Sequence, residues 1–431
     1  MTRPIFDAHL DLAWSAVCFN RDLTLSVEEI RKREQGMTDE PARGGNTLSL
    51  PELHNAGVRV CVATLLARGG PEQKWQAGYK RSDLDWANQT HAYAAAHAQL
   101  AYYRMMEKQG HVRVLRTARE LEAHWHGVGN DAGTRGRGDA GKEEGDCTLQ
   151  SANCKVQTEE TNAAAASAFT APQSQISNLK SFPSLPLSAS PRPLVPASSP
   201  SSHPLGIILS MEGADPIVTP DQVQEWWNLG LRAVGPAHYG RGHYAYGTAV
   251  SGPLSDRGVE LLREFERVGM ILDATHLCDE SMAQALDNFG GKVLASHHNC
   301  RALVPGDRQL ADEQIKRLIQ RNAVIGVALD AWMLYPNWVR GQTKPEVVGL
   351  SAVADHIDHV CQIAGSTRHS AIGSDLDGGF GIEQTPRDLN TIADLQKLGG
   401  ILGSRGYSEA DIDLIFHGNW LGFFRDALPA Y

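Results

Sequence analysis

Short apolar runs alternate with segments of helical periodicity along most of this chain. Eight of these runs combine length, β-branched residues and flanking turn residues in a way that predicts strands. They read IFDAHLDLA, VRVCVATLLA, LGIILSMEG, LRAVGPAHY, MILDATH, KVLASHH, AVIGVALDA and HSAIGSDLDG. Because their apolar character is nearly continuous, they are typical of a parallel sheet covered on both faces.

Several intervening segments carry the capping residues of helices. Thr219 and Gln222 form a capping box in TPDQVQEWWNLG, which Gly230 ends, and Thr117 and Glu120 form a second box in TARELEAHW. Eight strands alternating with helices predict an α/β fold of the (β/α)₈ TIM-barrel type. An open doubly wound sheet is the alternative, although the chain lacks the glycine-rich turn typical of nucleotide-binding sheets.

One segment, residues 127–203, departs from this alternation. Its last part is so rich in serine and proline that these make up 14 of the 22 residues from Ser181 to Ser202. Such a composition buries too little apolar surface to offset the entropy of ordering the chain. We therefore predict a single barrel domain over residues 1–126 and 204–431, with 127–203 a disordered, low-complexity insertion in a surface loop.

Charge and cysteine usage narrow the class of protein. The formal net charge of −10 argues against nucleic acid or an anionic membrane surface as the main partner. No apolar run approaches the roughly 18 residues of a membrane helix. The first strand begins almost at the amino terminus, which leaves no room for a signal peptide, and the carboxyl terminus has no hydrophobic tail. Seven scattered cysteines suit reduced thiols, so we expect a cytoplasmic protein.

The predicted strands end in residues that bind metals. In a (β/α)₈ barrel the chemistry collects at the carboxyl ends of the strands. The polar residues at these ends are His9, Asp11, Glu212, His238, His276, His297, His298, Asp375 and Asp377. His9 and Asp11 stand two apart in a predicted strand and so share a face, as metal ligands or as a structural His–Asp pair.

Each of these residues also has a purely structural interpretation. Asp377 precedes two glycines and suits a turn, Glu212 suits a helix entry, and His298 should point away from its neighbour His297. Together, however, they favour a binuclear metal site at the carboxyl ends of the strands. Three histidines and two carboxylates can hold two zinc-like ions about 3.5–4 Å apart with a hydroxide shared between them. A nearby aspartate would move the proton, and a free histidine would stabilise an oxyanion.

The motifs DAHLDL, SMEGAD, GPAHYG, DATHL, SHHNCRAL, GDRQLADEQI and GSDLDGG occur in one order along the chain. In this they resemble the membrane or renal dipeptidases, peptidase family M19 of the amidohydrolase superfamily. The resemblance implies two zinc ions, the first bound by His9 and Asp11, the second by His276 and His297, with Glu212 bridging both. It further implies that His238 polarises the substrate, that Asp375 transfers the proton and that Arg308 pairs with the substrate's terminal carboxylate.

The chain departs from the family pattern at a few positions. Leu10 replaces the asparagine of the usual H-N-D motif, His298 stands where small polar residues are usual, and the insertion precedes the strand of Glu212. Relatives with a carbamylated lysine carry it on the fourth strand, where this chain has none. The missing secretion signals favour a bacterial cytoplasmic member, and family analogy allows a homodimer.

Together with this resemblance, the site residues predict a zinc-dependent dipeptidase in which a hydroxide between the metals attacks the peptide carbonyl. Its partner is a small dipeptide, including the L-Xaa-D-Xaa type that bacterial relatives often accept. Two alternatives stay open. The first is another metal-dependent amidohydrolase acting on an N-acyl amino acid, a lactone or a cyclic amide. The second is a non-catalytic binding protein on the same barrel.

Overall fold

The strands of the protein run parallel to one another in a computed structural model that describes residues 2–70, 83–127 and 203–431. Their bounds are Ile5–Leu10 (β1), Val58–Leu66 (β2), Val112–Val114 (β3), Leu205–Glu212 (β4), Leu231–Gly235 (β5), Ile271–Asp273 (β6), Val293–Leu294 (β7), Ile325–Val327 (β8) and Ser370–Ile372 (β9). The eight predicted strands are all present. The ninth, β3, is only three residues long and pairs with the start of β4.

Helices connect most of these strands. The α-helices are Leu12–Cys18 (α1), Val27–Arg33 (α2), Leu50–Ala56 (α3), Gln89–Lys108 (α4), Ala118–Gly127 (α5), Val223–Asn228 (α6), Asp256–Val268 (α7), Asp279–Asn288 (α8), Asp312–Gln320 (α9), Ala331–Leu334 (α10), Leu350–Ala364 (α11), Lys397–Ser404 (α12), Glu409–Asp413 (α13) and Asn419–Ala427 (α14). Short 3₁₀ helices cover Pro220–Gln222, Pro345–Val347, Ile382–Gln384 and Ile392–Gln396, and a π-helical segment covers Leu414–Gly418.

The capping box predicted at Thr117 forms completely. The amide of Glu120 donates to the Thr117 hydroxyl at the start of α5, and the amide of Thr117 donates back to the Glu120 carboxylate. At the second predicted box the Gln222 side chain accepts from the amide of Thr219, but the amide of Gln222 donates to the Thr219 carbonyl rather than to its hydroxyl. Among the helices of the described ranges, none is both long and apolar enough to cross a bilayer.

Two parallel sheets hold the strands. The first has the order β1-β2-β4-β5-β6-β7 with β3 beside β4, and the second pairs β8 with β9. A bridge between Ala295 and Ile325 links the end of β7 to β8, and the amide of Asp375 donates to the carbonyl of His9 over 3.3 Å. The fold is therefore mixed α/β with a half-barrel of parallel strands. The closed barrel stays a prediction from the sequence.

An apolar cluster lies along one face of these strands. Its strand residues are Phe6, Ala8, Val60, Val62, Ile208, Ala233, Ile271, Leu294 and Ala371. Trp420 and Phe424 of α14 belong to the same cluster, and the Phe424 ring stacks on Phe6 at 5.3 Å between centroids. Since α14 follows a turn whose His417 contacts the carbonyl of Pro4, just before β1, the helix covers the amino-terminal end of the strands. The carboxyl-terminal ends are left for polar side chains.

The first strand is shorter than predicted. It ends at Leu10, and Asp11 occupies the N-cap position of α1 with φ −85° and ψ 46°, so His9 and Asp11 are not neighbours on one strand face. The apolar run LDLAW continues as a helix because Leu12 and Ala16 bury one turn of it. The two side chains meet through the change of direction at Asp11 rather than through strand alternation.

The predicted insertion, residues 127–203, lies outside the described residues except for Gly127 and His203. The described chain on its two sides belongs to one sheet, because β2 and β3 precede the insertion and both pair with β4, which follows it.

Candidate metal centre

Four of the predicted site residues stand at the same distance along the chain from the end of a strand. His238, His276, His297 and Asp375 each stand three positions after the last residue of β5, β6, β7 and β9. His276 and Asp375 have positive φ angles of 67° and 59°, a conformation that costs energy in a residue other than glycine. That backbone conformation helps turn both side chains toward the carboxyl ends of the strands.

Glu212, the last residue of β4, lies at the middle of this group. Its Oε1 is 3.1 Å from Nε2 of His276 and 3.2 Å from Nε2 of His297. Its Oε2 lies 3.7 Å from Nε2 of His9, which is itself 3.6 Å from Oδ2 of Asp11. The two carboxylate oxygens of Glu212 thus face two different sets of ligand-type atoms, all of them on buried side chains.

Several polar atoms of this group are buried without a hydrogen-bond partner among the residues that the structure describes. They are Nε2 of His9, Oδ1 of Asp11 and Oε1 of Glu212. Unpaired buried polar atoms are costly and rare in folded proteins. Atoms of these types converge to within 4.8 Å of one another in three overlapping groups. Imidazole nitrogens and carboxylate oxygens are the ligands that zinc accepts, so this donor set fits one or two divalent cations.

The pKa shifts of the site residues also indicate that a positive charge is favoured at this position. Burial lowers the pKa of His9, but the carboxylates of Glu212 and Asp11 outweigh it and raise the pKa to about 10. Burial raises the pKa of Glu212 to about 8. Burial also holds the pKa of His276 and His297 well below the usual value, so both imidazoles are neutral and ready to bind a metal.

A hydroxyl fixes the tautomer of His276. Thr248 Oγ1 lies 3.0 Å from Nδ1 of His276 and donates its own proton to the carbonyl of the same residue over 3.3 Å. Since that proton is committed, the hydroxyl oxygen accepts from Nδ1–H, which leaves the lone pair on Nε2 facing Glu212. Metal-binding histidines are usually oriented through their second nitrogen in this way.

Thr248→Val should weaken metal binding about 10- to 100-fold, because it removes this hydroxyl at nearly constant volume. The measurement is the dissociation constant for zinc, from competition with a chromophoric chelator. Thr367→Val is a matched control, since the Thr367 hydroxyl bonds only to Asp411 at another part of the fold. Equal affinity in the wild type and in Thr248→Val would contradict this role of the hydroxyl.

The other three predicted residues surround the same point. His238 Nε2 lies 3.8 Å from Oε1 of Glu212, and Asp375 Oδ1 lies 3.7 Å from Nε2 of His9. Arg308 is buried rather than exposed on its loop. Its Nη2 donates to the carbonyl of His297 over 3.0 Å, and its Nη1 has no partner within the described part of the chain. The structure thus brings together the eight residues to which the resemblance gave a role in binding metal or substrate or in proton transfer.

The remaining two candidates from the strand ends lie elsewhere. His298 is buried, and neither of its ring nitrogens forms a hydrogen bond to a residue of the described ranges. Asp377 accepts hydrogen bonds from the amide and hydroxyl of Thr47 and lies 3.8 Å from Arg21, so it anchors the loop of residues 44–48.

A cavity of about 460 Å³ opens onto the cluster. Its wall includes residues that the sequence analysis did not select, namely Trp14, Arg68, Tyr239, Asp330, Trp332 and Arg340. Asp330 stands three positions after β8, so the spacing shared by the other strand ends could have identified it. Burial raises the pKa of Asp330 to about 7. The positions of Arg68 and Arg340 in the sequence follow no such spacing and gave no indication of a functional role.

The fold and this cluster define an α/β protein with a candidate metal centre at the carboxyl ends of its parallel strands. The model of the membrane dipeptidase family, peptidase family M19, matches residues 197–428, more than half of the chain. The protein therefore belongs to the membrane dipeptidase family, as the motifs of the sequence predicted.

Individual relatives are more distant. An uncharacterized dipeptidase of Schizosaccharomyces pombe is 28% identical over 48% of this chain and 49% of its own length. The dipeptidase tcpJ of Claviceps purpurea is 29% identical over 46% of this chain and 45% of its own length. The chain thus spans about half the length of these two curated relatives.

Solved structures share the fold over almost the whole chain. The dipeptidase AC, a family M19 metallopeptidase, superposes with a TM-score of 0.66 at 19% identity, covering 99% of both chains. A metallopeptidase from Rhodobacter sphaeroides, liganded with a phosphinate mimic of L-Ala-D-Ala, has a TM-score of 0.65 at 19% identity and covers 99% of this chain and 100% of its own. At such identities the similarity concerns the fold.

Proposed function

We propose that this protein is a zinc-dependent dipeptidase with two metal positions. The observation that carries the proposal is the position of Glu212, whose two oxygens face two sets of buried ligand atoms. His9 and Asp11 would hold the first ion and His276 and His297 the second, with Glu212 shared between them. Divalent ions at such a site lower the pKa of water and polarise a carbonyl group.

The neighbouring side chains supply the other requirements of peptide hydrolysis. Burial raises the pKa of Asp375 well above its usual range, so its carboxyl group can hold a proton and donate it to the departing amine nitrogen. Burial keeps His238 neutral by holding its pKa well below the usual value. Its Nε2–H would donate to the peptide carbonyl oxygen as negative charge develops there.

Arg308 would select for short substrates. Its Nη1 is a buried cationic donor that has no partner among residues 2–70, 83–127 and 203–431, and such a donor suits a carboxylate. A free carboxylate within reach of the cluster must follow the scissile bond closely, so dipeptides are favoured over longer chains. The cavity of about 460 Å³ lies within the range of sites that enclose small molecules.

The same proposal extends to the architecture. The apolar cluster takes a residue from nearly every strand, which supports a closed (β/α)₈ barrel whose interior it fills. The pairing of β2 and β3 with β4 supports one domain over residues 1–126 and 204–431, with 127–203 inserted into a loop. A cytoplasmic location and a homodimer stay predictions from the sequence.

The substrate class extends to L-Xaa-D-Xaa dipeptides. Support comes from the Rhodobacter sphaeroides metallopeptidase, which shares the fold and was crystallised with a mimic of L-Ala-D-Ala. The cavity wall contains both aromatic and charged groups, including Tyr239, Trp332 and Arg340, that are available to contact the side chains of a dipeptide.

The test combines elemental analysis of the purified full chain with hydrolysis of matched L,L and L,D dipeptides and N-acyl amino acids. About two zinc ions per chain together with dipeptide cleavage is the expected result. Two ions with cleavage of N-acyl amino acids alone would overturn the substrate class and leave the metal site. A chain that binds no metal after incubation with zinc would overturn the proposal as a whole.

A further inference from the structure

Arg68 lies two positions after β2 and is held rigidly at the wall of the cavity. Its amide donates to the carbonyl of Leu84 over 2.9 Å, and its carbonyl accepts from the amide of Trp86 over 2.7 Å. Its guanidinium forms two parallel bonds to Asp85, with Nε 2.6 Å from Oδ1 and Nη2 2.7 Å from Oδ2. A fork held at two points in this way directs the third nitrogen, Nη1.

That third nitrogen lies 3.5 Å from Nδ1 of His238. A guanidinium has donors only, so the contact requires a lone pair on Nδ1. A neutral imidazole carries a single proton, which must then stand on Nε2. The Nε2 of His238 is the atom that faces Glu212, at 3.8 Å from Oε1.

His276 presents the opposite tautomer to the same carboxylate oxygen. The hydroxyl of Thr248 accepts from its Nδ1–H, so its Nε2 has a lone pair, whereas the Nε2 of His238 has a proton. The centroids of the His238 and His276 rings lie 4.3 Å apart, and a histidine at either position could bind a metal. Their second partners therefore decide which imidazole is a ligand and which is a hydrogen-bond donor.

We propose that Arg68 is a positioning residue that holds the proton of His238 on Nε2 and so makes this histidine a donor to the substrate carbonyl rather than a fourth histidine ligand. The proposal rests on the proposed function, in which His238 stabilises developing negative charge. Tyr239 limits the alternatives, because its ring stands edge-on to His238 at 4.9 Å and restricts rotation of the imidazole.

Two substitutions of Arg68 distinguish the effect of the guanidinium geometry from the effect of its positive charge. Arg68→Met removes every donor, and Arg68→Lys keeps the positive charge but cannot bond to Asp85 and reach His238 as a fork does. Both should lower kcat tenfold or more with KM changed less than about threefold, because a transition-state donor is lost while ground-state binding persists. Arg405→Met is the control. Arg405 pairs with Asp355 and Asp358 and is about as exposed as Arg68, at 24% against 18% of the side chain, but it lies outside the cavity.

The second measurement does not depend on activity. Long-range proton–nitrogen NMR of the full chain labelled with ¹⁵N-histidine reports which ring nitrogen carries the proton, and His238→Gln assigns the signal. The expected result is a protonated Nε2 in the wild type, both with zinc and after chelation, and a mixture or a protonated Nδ1 in Arg68→Met. This readout tests the proposal even if the wild type cleaves no dipeptide, which would overturn the proposed function alone.

Three results would overturn the role of Arg68. The first is a protonated Nδ1 of His238 in the wild type. The second is full activity of Arg68→Lys, which would show that charge suffices without the geometry. The third is a rise in KM at constant kcat in both variants, which would make Arg68 a substrate-binding residue instead.

Discussion

Replacing Glu212 by glutamine is expected to lower dipeptide hydrolysis roughly 10³-fold or more and to leave at most about one tightly bound metal ion per chain. The loss follows from geometry, since Oε1 faces His276 and His297 while Oε2 faces His9. A glutamine keeps one neutral oxygen and turns an NH₂ group, which cannot bind a cation, toward the other set. Losing several kcal/mol of metal-derived charge stabilisation corresponds to about three powers of ten in rate.

The measurement pairs elemental analysis with kcat and KM on the best dipeptide. Glu120→Gln is a matched control because Glu120 caps α5, away from the cavity, and accepts hydrogen bonds from the amides of Arg116 and Thr117. This control should keep both its metal and its kcat. If Glu212→Gln retained two ions and most of its activity, the shared carboxylate would have no place in the centre.

Gly247→Ala is expected to destabilise the protein by about 3 kcal/mol or more and to abolish activity. A Cβ built on Gly247 would lie 1.7 Å from the carbonyl oxygen of His238, which is a backbone atom and cannot move aside alone. That oxygen accepts a 3.0 Å hydrogen bond from the amide of Thr248, the residue whose hydroxyl orients His276. The alanine methyl group therefore displaces a proposed donor and a proposed ligand together.

Chemical denaturation, followed by circular dichroism, would measure the change in free energy of unfolding. Gly240→Ala tests the same loop without the clash, because no atom lies within 4 Å of its Cβ position and only its φ of 78° is strained. That control should lose about 1–2 kcal/mol. A Gly247→Ala protein that is no less stable than Gly240→Ala would show that the loop can shift to admit a side chain.

The order of strands and the site residues were predictable from the sequence because both leave local signals. A buried parallel strand is a short apolar run, and a polar residue just beyond it is conspicuous. His238, His276, His297 and Asp375 were found in this way. The strand β3 was not, because the exposed Arg113 interrupts its short apolar run and leaves no continuous buried segment to recognise. Asp330 carried the same signal at the end of β8 and was overlooked.

The contacts between loops were beyond prediction from the sequence. Arg68 and His238 are 170 residues apart, and no spacing rule relates them. The burial of Arg308 was equally hidden, since an arginine in a loop is usually solvated. The path of the chain at Asp11 was mistaken because an apolar run of this length suits the end of a strand and the start of a helix equally well.

The start of β4 lies at the opposite end of this strand from the candidate metal centre. The ring of His124 packs against Gly206, so α5 lies beside this start. Leu205 and Glu212 are seven residue steps apart, about 23 Å at roughly 3.3 Å per step. A fluorophore attached at the exposed His126 of α5 would therefore label the molecule well away from its cavity.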